Sequence, residues 1–466
     1  MAAAAPGAAP AAGARRVVID GCHVATVDAA GTEHADGWVV VDGDRITAVG
    51  AGPVPGELAA SAHERVDGRG HLLTPGLVNT HHHLYQWLTR GLAQDDILFD
   101  WLVALYPMWS RIDADLVRAG AAGALAVAAR SGCTTLADHH YVFPAGAGDL
   151  VGAIVEAASE VGIRLHATRG SMDLGRSAGG LPPDFAVETT DAALAATRGA
   201  VEAYHDPGFS SMVRVAAAPC SPFSVTADLL RESAALARDL GVRLHTHGAE
   251  TVEEEAFCRE RFGTSPAGYL ESLGWLGDDV WMAHCVHLDD ADVRRFAETG
   301  TGVAHCPSSN ARLAAGIAPV RALVNAGAPV GLGVDGAASN ESGRLGDEIR
   351  QAVLLARLRD GAGAMDVRTA LRLATIGGAR VLGRQDELGS IEPGKLADLA
   401  LWRIDGVEHA GIADPVAALG LAALPPLARL VVGGRTVVAD GELVTTDAAA
   451  IAGAAARAST ALAERA

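Results

Sequence analysis

Eight short apolar runs, separated by helix-like segments, set the strongest limit on how this chain of 466 residues can fold. Each run is apolar enough for a strand that is buried on both faces. Between several of them, apolar residues recur at helical spacing, as in residues 116–130 and 346–359. Eight strands that alternate with helices predict a (β/α)8 barrel, the TIM-like α/β architecture. The predicted strands are 76–83, 133–139, 162–168, 211–219, 242–247, 280–284, 302–306 and 330–335.

An open, doubly wound sheet is the alternative architecture for alternating strands and helices. Dinucleotide-binding sheets of this kind carry a glycine-rich fingerprint directly after a strand, and no such fingerprint follows any of the eight runs. The strand count therefore favours the barrel.

Both ends of the chain show a different sequence pattern, in which short strand-like apolar runs are joined by turns. The simplest interpretation is one small β-sandwich domain built from both termini, with the barrel inserted between its halves. Two independent terminal β modules are the alternative, although each would have few strands for stability. The predicted division is a disordered tail at 1–15, the β-sandwich domain at 16–72 plus 385–446, the barrel at 73–384 and a C-terminal helix at 447–466.

Composition excludes several classes of protein. The formal net charge of −19 argues against binding to nucleic acid, because lysine and arginine clusters carry that binding. No run of about 18 apolar residues predicts a membrane span. The six cysteines form no C-x-x-C pair, and the Ala/Pro/Gly-rich residues 1–13 lack the charged start of a signal peptide. We therefore expect a cytoplasmic protein without membrane or nucleic-acid partners.

Histidine and aspartate, residue types that commonly bind metals, lie at the carboxyl ends of several predicted strands, where barrel active sites form. His81 and His83 end the first strand and share one face, since side chains alternate along a strand. His247 ends the fifth strand, His284 the sixth and Asp335 the eighth. A surface patch is the alternative for three consecutive histidines, but the set as a whole predicts a metal site.

The fifth strand carries a second histidine, His245, on the same face as His247. One of the two must lie deeper in the barrel. We expect His247 to be the ligand, because it is nearer the strand end, and His245 to be a hydrogen-bonded interior residue. Glu250 then lies on the following loop, close to the metal.

The segment 75–83, which reads PGLVNTHHH, resembles the amidohydrolase superfamily when taken with the residues at the other strand ends. More narrowly, it is similar to the cytosine/guanine/triazine deaminase branch, from residue 16 to about residue 446. The late segment 389–398, GSIEPGKLAD, also fits that branch. The resemblance implies four ligands of one divalent metal, namely His81, His83, His247 and Asp335. It implies two catalytic residues, namely Glu250 and His284.

The chemistry of these residue types agrees with the resemblance. Three neutral imidazoles and one carboxylate suit zinc, with iron(II) as the alternative. Such a metal lowers the pKa of water towards about 7, and Asp335 can take the proton. Glu250 can carry a proton to a ring nitrogen, while His284 can hold the hydroxide or developing alkoxide. A binuclear relative would place a lysine at the end of the fourth strand, where this chain reads AAAPC at 216–220, so one metal is expected.

Substrate recognition is expected from loops over the barrel mouth. Gln86 follows the last histidine of the first strand by three residues, and its carboxamide suits the amide-like edge of a guanine-type ring. Solvation is the alternative for a single glutamine on a loop. The further candidates for substrate binding are Trp101, Tyr141 and Cys220.

Six of the twenty aromatic residues of the chain fall within residues 85–109, which predicts a lid or a stacking wall for a flat heterocycle. We expect Tyr106 and Trp109 to form the buried face of a lid helix, whereas Trp101 fits either role. Trp87 and Asp173 stand where related chains vary, and either residue could alter the pocket.

Three further segments, which begin at residues 138, 168 and 303, are most similar to the deaminases that convert 8-oxoguanine and water to urate and ammonia. We therefore expect hydrolytic deamination of an aminated oxopurine by a homo-oligomer. The alternative substrates are a hydroxyatrazine-type triazine, a pterin, guanine and isocytosine.

Two other classes of protein are alternatives to this enzyme. A barrel that serves only as a scaffold would lack some of the expected metal-ligand or catalytic residues, and none of them is missing from this sequence. A base-flipping deaminase would need P-C-x-x-C, and residues 219–223 lack the second cysteine.

Overall fold

The computed structural model describes residues 14–465, whose strands form two separate sheets. Both ends of the chain build the first sheet, and the middle of the chain builds the second. In chain order the strands are β1 (Arg16–Ala25), β2 (Glu33–Asp42), β3 (Arg45–Ala51), β4 (Glu64–Asp67), β5 (His71–Pro75), β6 (Leu77–His83), β7 (Cys133–Asp138), β8 (Arg164–Ser171), β9 (Val213–Pro219), β10 (Leu244–Gly248), β11 (Val280–His284), β12 (Gly302–His305), β13 (Val330–Leu332), β14 (Asp335–Gly336), β15 (Leu399–Arg403), β16 (Leu427–Val432), β17 (Arg435–Ala439) and β18 (Glu442–Leu443).

Helices connect the central strands and cover the outside of their sheet. In chain order the α-helices are α1 (Gly56–Ala60), α2 (Leu98–Trp109), α3 (Ala114–Arg130), α4 (Leu150–Val161), α5 (Thr190–Tyr204), α6 (Ala227–Leu240), α7 (Val252–Phe262), α8 (Pro266–Ser272), α9 (Asp290–Thr299), α10 (Pro307–Arg312), α11 (Val320–Ala326), α12 (Leu345–Asp360), α13 (Val367–Arg372), α14 (Gly378–Val381), α15 (Pro415–Leu421) and α16 (Ala448–Arg465). A 3₁₀ helix at Leu84–Thr89 directly follows β6. Within residues 14–465, no helix combines the length and the apolar character needed to span a bilayer.

The central sheet is a closed barrel. Strands β6 to β13 lie side by side in chain order and all their pairings are parallel. The eighth strand is interrupted, so β13 pairs with β12, whereas β14 pairs with β6 through Asp335 opposite His82 and Gly336 opposite His83. The first and last strands therefore meet, which confirms the (β/α)8 barrel and excludes the open sheet.

The second sheet combines both termini, as predicted for the small β-sandwich. Its strand order is β18-β17-β16-β15-β5-β1-β2-β3, with β4 beside β1. The two halves meet where β5 pairs antiparallel with β15, with Leu399 opposite Pro75. Independent terminal modules are therefore excluded. The domain boundaries stay predictions, and the predicted tail at 1–15 falls almost entirely outside the described residues.

A buried ion pair joins the two domains at the base of the barrel. Arg164 at the start of β8 donates to both carboxylate oxygens of Asp398, at 2.9 and 3.1 Å. The carbonyl oxygens of Ser210 and Ser211 accept from the same guanidinium, and Gly433 N donates to Asp398. A buried pair is tolerated when its remaining polar atoms are also satisfied. The β-sandwich thus occupies the amino-terminal side of the strands, and the carboxyl ends are left for the functional site.

Candidate functional site

Four side chains from three strands converge at the carboxyl end of the barrel. His81 and His83 lie on the same side of β6, as the alternation along the strand requires. Asp335 Oδ1 lies 3.3 Å from His81 Nε2 and 3.2 Å from His83 Nε2. His247 Nε2, from β10, lies 3.1 Å from His83 Nε2. The structure therefore brings together all four residues that the sequence singles out as metal ligands.

The hydrogen bonds of His83 and His247 fix where each ring carries its proton. His83 Nδ1 donates to the carbonyl oxygen of His139 at 2.5 Å, and His247 Nδ1 donates to that of Cys220 at 2.7 Å. Burial lowers the pKa of His247 to about 3, so its ring is neutral. Each Nε2 then presents a lone pair, and two lone pairs face each other across 3.1 Å. A cation between them removes that repulsion.

His81 is fixed in the same state by a relay through His245. His245 Nδ1 donates to the carbonyl oxygen of Trp281 at 3.0 Å, so His245 Nε2 accepts the Nδ1 proton of His81 at 2.8 Å. His81 Nε2 is buried and has no hydrogen-bond partner among residues 14–465. Burial also lowers the pKa of His81 well below its usual value. His245 thus orients His81 through its hydrogen bond, an arrangement that metal-binding histidines commonly require.

The spacing of these atoms fits a small divalent cation. Four ligands at zinc distances of 2.0–2.1 Å would lie roughly 3.4 Å apart in a tetrahedral arrangement. Three of the six separations in this set, those of His83 from His247 and of His81 and His83 from Asp335, are 3.1–3.3 Å and so close to that value. Neutral imidazole nitrogens with one carboxylate oxygen form a donor set that suits zinc or iron(II).

A further histidine, His139, lies beside the cluster and was not singled out as a site residue from the sequence. One of its ring nitrogens lies within 4.8 Å of nitrogens of His81, His83 and His247. Its Nε2 donates to Ala218 O at 3.0 Å, and its ring stacks on His247 with 4.6 Å between centroids. The available signal was its position, directly after β7, at the same end of the barrel as the other ligand-type residues.

Asp335 is held by hydrogen bonds on both carboxylate oxygens. Gly336 N donates to Oδ1 at 2.7 Å, and Ser309 Oγ and Ser339 Oγ lie 2.5 and 3.1 Å from Oδ2. Hydrogen bonds that are donated to a carboxylate favour its ionised form. The backbone of Asp335 is left-handed, with φ of +65°. Such a conformation is costly for a residue other than glycine and is typical of functional sites.

Glu250 and His284 face the same space as the four ligand-type side chains. Glu250 Oε1 lies 3.6 Å from His284 Nε2, which in turn lies 3.9 Å from Asp335 Oδ2. His284 Nδ1 donates to Asn310 Oδ1 at 2.9 Å. Burial, together with the charge of Asp335, raises the pKa of Glu250 well above its usual value. Glu250 therefore keeps its proton to a higher pH than an ordinary glutamate does, which suits a proton donor.

A pocket of about 340 Å³ opens above these residues. All four predicted substrate-binding residues line it. The lining consists of His83, Gln86, Leu98, Trp101, Leu102, Tyr141, Cys220, Phe223, His247, Glu250, His284, Leu313 and Asp335. Apolar walls with a few polar groups at one end are typical of a small-molecule site.

Gln86 is fully buried in this pocket, which excludes simple solvation of its side chain. Its Nε2 donates to Tyr141 Oη at 3.4 Å, and its Oε1 has no partner among the described residues. Gly336 leaves the space that the carboxamide occupies, because a Cβ there would lie 1.6 Å from Gln86 Oε1. The pocket thus holds a fixed amide with an unused acceptor.

Replacement of this amide is expected to weaken substrate binding without loss of metal. The Gln86→Ala variant would lose one or two neutral hydrogen bonds of about 1 kcal/mol each, which corresponds to a KM increase of roughly 5- to 30-fold. Steady-state kinetics and metal analysis measure the two effects separately. Gln94→Ala, at an exposed loop position, serves as the control. Unaltered kinetics in Gln86→Ala would remove this residue from the binding site.

The aromatic residues of the lid divide between pocket and core. Trp101, on α2, lines the pocket and donates from Nε1 to Ala338 O at 3.2 Å. Tyr106 and Trp109, on the same helix, are fully buried in the hydrophobic core. The lid helix therefore has the buried face that we expected.

Two residues that could have altered the pocket lie outside it. Trp87 stacks with Arg90, whose guanidinium carbon is 3.5 Å from the ring centroid. Asp173 accepts hydrogen bonds from Thr226 N at 2.7 Å and Thr190 Oγ1 at 2.8 Å, and so joins two helix starts. Neither residue lines the pocket, so any effect of either residue on the pocket would act through its neighbours.

The sequence and the fold place the chain among known enzymes. Residues 72–444 match the amidohydrolase family. The chain therefore belongs to the amidohydrolase family of hydrolytic enzymes, which accounts for the barrel and the histidine cluster at its carboxyl end.

Particular relatives agree with this assignment. The chain is 46% identical to an 8-oxoguanine deaminase from Pseudomonas aeruginosa, over 92% of this chain and 95% of that protein. It is 38% identical to an isoxanthopterin deaminase from an unknown prokaryotic organism, over 89% of both chains. A solved structure of an atrazine chlorohydrolase from Arthrobacter aurescens, complexed with zinc, matches with a TM-score of 0.90 and 35% identity, and the match covers 95% of this chain and 100% of that one.

Proposed function

We propose that this protein is a hydrolytic deaminase that converts 8-oxoguanine and water to urate and ammonia. The observation that carries the proposal is the convergence of three imidazoles and Asp335 beside the buried Glu250, whose pKa is raised by burial. The choice of ring is supported by the 46% identity to an 8-oxoguanine deaminase. It is also supported by the buried Gln86 amide in the pocket.

We propose that His81, His83, His247 and Asp335 hold one divalent metal and that this metal is zinc, with iron(II) as the alternative. The neutral rings, the separations near 3.2 Å and the zinc in the related atrazine chlorohydrolase support this proposal. A divalent cation bound there would lower the pKa of water, so that a hydroxide nucleophile becomes available at neutral pH.

The chain's own residues would move the protons. Asp335 accepts the proton that water releases, because its carboxylate is ionised and faces the reacting space. His284 Nε2 accepts a hydrogen bond from the attacking water, since His284 Nδ1 already donates to Asn310. The water oxygen adds to C2 of the ring while Glu250 gives its proton to the ring nitrogen N3, so that the C2–N3 double bond becomes single. The Glu250 carboxylate then takes the proton of the added hydroxyl group and delivers it to the amino nitrogen. The bond from C2 to the amino nitrogen breaks, ammonia leaves, and C2 keeps the oxygen as a carbonyl group. The proton held by Asp335 returns Glu250 to its starting state.

The pocket residues would hold the ring in place for this attack. The unused Oε1 of Gln86 can accept a hydrogen bond from an N–H on the lactam edge of the oxopurine. Trp101 and Phe223 provide flat apolar walls, and Tyr141 and Cys220 complete the lining. Such a fixed orientation contributes much of the rate of a reaction between two bound partners.

A panel of substrates tests the proposal. Ammonia release is measured in parallel with 8-oxoguanine, guanine, isocytosine, isoxanthopterin and hydroxyatrazine, together with the metal content of the purified protein. We expect 8-oxoguanine to give the highest kcat/KM, with about one metal ion per chain. If 8-oxoguanine is inert while another ring is deaminated, the substrate assignment fails. If no metal binds and no ring reacts, the enzymatic assignment fails.

We further propose that the protein acts in the cytoplasm as a homo-oligomer, without nucleic-acid partners. The net charge of −19 and the six buried, unpaired cysteines support this setting. Cell fractionation and light scattering of the purified protein test the location and the oligomeric state.

A further inference from the structure

A second buried glutamate, Glu254, supports the loop that carries Glu250. Helix α7 begins after Thr251, whose Oγ1 accepts a hydrogen bond from Glu254 N at 3.3 Å. In a usual capping box, the acid at this position accepts from the backbone N–H of the cap residue. Here the Glu254 carboxylate reaches further back: Oε1 accepts from Ala249 N at 3.2 Å, and Oε2 accepts from Glu250 N at 2.7 Å.

The same loop is held from its other side by the neighbouring strand. Ala249 has a left-handed backbone with φ of +53°, which is unfavourable for a residue with a side chain. Its carbonyl oxygen accepts from Val286 N at 2.8 Å and His287 N at 2.9 Å, in the segment that directly follows His284. The turn before Glu250 is thus fixed between Glu254 and the segment that carries its catalytic neighbour.

This arrangement couples Glu254 to the position of the Glu250 carboxyl group. Glu254 is fully buried but does not line the pocket, so it does not touch the substrate. Its carboxylate instead accepts hydrogen bonds from the backbone N–H groups of Ala249 and Glu250, which set the direction of the Glu250 side chain. A displacement of about 1 Å in a catalytic group can cost about 100-fold in rate. A second buried carboxylate also opposes ionisation of Glu250, since Glu254 is among the causes that raise the pKa of Glu250, after burial and Asp335.

We propose that Glu254 is a positioning residue, which holds the backbone of Ala249 and Glu250 so that Glu250 can deliver its proton to the leaving amine. The inference rests on the proposed function, because it assigns Glu254 a part in the same proton transfer. The alternative is that Glu254 only caps helix α7 and stabilises the fold.

The first test is the isosteric variant Glu254→Gln. One acceptor oxygen becomes an NH2 donor that faces a backbone N–H, so one of the two hydrogen bonds is lost. We expect kcat to fall about 10- to 100-fold, while KM stays within about threefold and the metal content is unchanged. An unchanged kcat would overturn the positioning role.

Asp292 provides a matched control. It is a buried acid at the same position of helix α9, and its Oδ2 accepts from Asp289 N at 3.2 Å. Asp292 does not line the pocket, so Asp292→Asn is expected to lower the Tm without a change in kcat. If Glu254→Gln and Asp292→Asn both lower the Tm and both leave kcat unchanged, Glu254 is a cap and nothing more.

A double-mutant cycle with Glu250→Gln separates this proposal from the proposed function. If Glu254 acts through Glu250, then Glu254→Gln should cause no further loss of kcat once Glu250 is replaced. A full additional loss in the double variant overturns the positioning role alone. Near-full activity of Glu250→Gln by itself overturns the proton transfer and the positioning role together.

A second variant keeps the test decisive if Glu254→Gln fails to fold. Glu254→Asp retains the charge and both oxygens but shortens the side chain by one methylene, so the carboxylate moves back from the two amides. We expect an intermediate loss of kcat, about 3- to 10-fold, and no loss of metal. Wild-type kcat in a folded Glu254→Asp variant would overturn the proposal.

Discussion

The Glu250→Gln variant is expected to bind metal normally and to turn over its substrate about 10²- to 10⁴-fold more slowly, the range by which a general acid or base usually contributes. Glutamine matches the size of glutamate but carries no proton that it can transfer. Glu250 is not among the converging ligand-type residues, and its Oε1 lies 3.6 Å from His284 Nε2. Metal content should therefore stay at the wild-type level, while kcat falls. Metal analysis and steady-state ammonia release measure the two quantities on one preparation.

Glu253→Gln is the matched control for this change. Glu253 is three residues further along the chain, in the first turn of α7, and it does not line the pocket. Its replacement makes the same chemical change, carboxyl to carboxamide, and is expected to leave kcat and KM unchanged. Near-full activity of Glu250→Gln would place the proton donor on another group.

The His83→Ala variant is expected to lose the metal and, with it, the activity. Loss of a residue that merely supports a ligand usually costs 10- to 100-fold in metal affinity, so loss of the ligand itself should cost more than about 100-fold. His83 Nε2 is within 3.2 Å of both His247 Nε2 and Asp335 Oδ1, so its removal opens the centre of the cluster. After dialysis, the variant should hold far less metal than the wild type. Metal analysis, together with kcat at saturating zinc, checks this result.

His34→Ala controls for the loss of a histidine elsewhere in the fold. His34 lies on β2 in the β-sandwich domain, far from the cluster in the chain and in a different sheet. Its replacement should change neither metal content nor turnover. A His83→Ala protein with full metal content and full activity would show that this imidazole is not a ligand.

Much of the site could be predicted from the sequence, because two simple regularities act together. Alternation along a strand places His81 and His83 on one face, and parallel strands bring their carboxyl ends to one rim. Those rules also predict that His247 and Asp335, at the ends of two other strands, lie near the two histidines, although no contact between the strands is known from the sequence. The structure brings all four side chains together, although their roles in catalysis stay a proposal.

The supporting residues could not be predicted in this way. Ser309 reaches Asp335 from α10, after the seventh strand, and Ser339 reaches it from the turn after the eighth strand. The position of such short connecting segments depends on tertiary contacts. His139 follows its strand closely, but a histidine at a strand end has many possible roles. The surroundings of Trp87 and Asp173 could not be predicted for the same reason, because their side chains contact Arg90 and Thr226 rather than the pocket.

The interrupted eighth strand affects the order in which the barrel and the site form as the chain folds. The last seam of the barrel runs through Asp335 and Gly336, which pair with His82 and His83 on the first strand. A chain synthesised from its amino terminus presents two histidines early, but Asp335, the aspartate proposed to bind the same metal, emerges only with the final strand. Contacts between such distant segments form late, because the entropy of closing the intervening loop must be overcome first. Ring closure and completion of the ion-binding centre are therefore one and the same folding event.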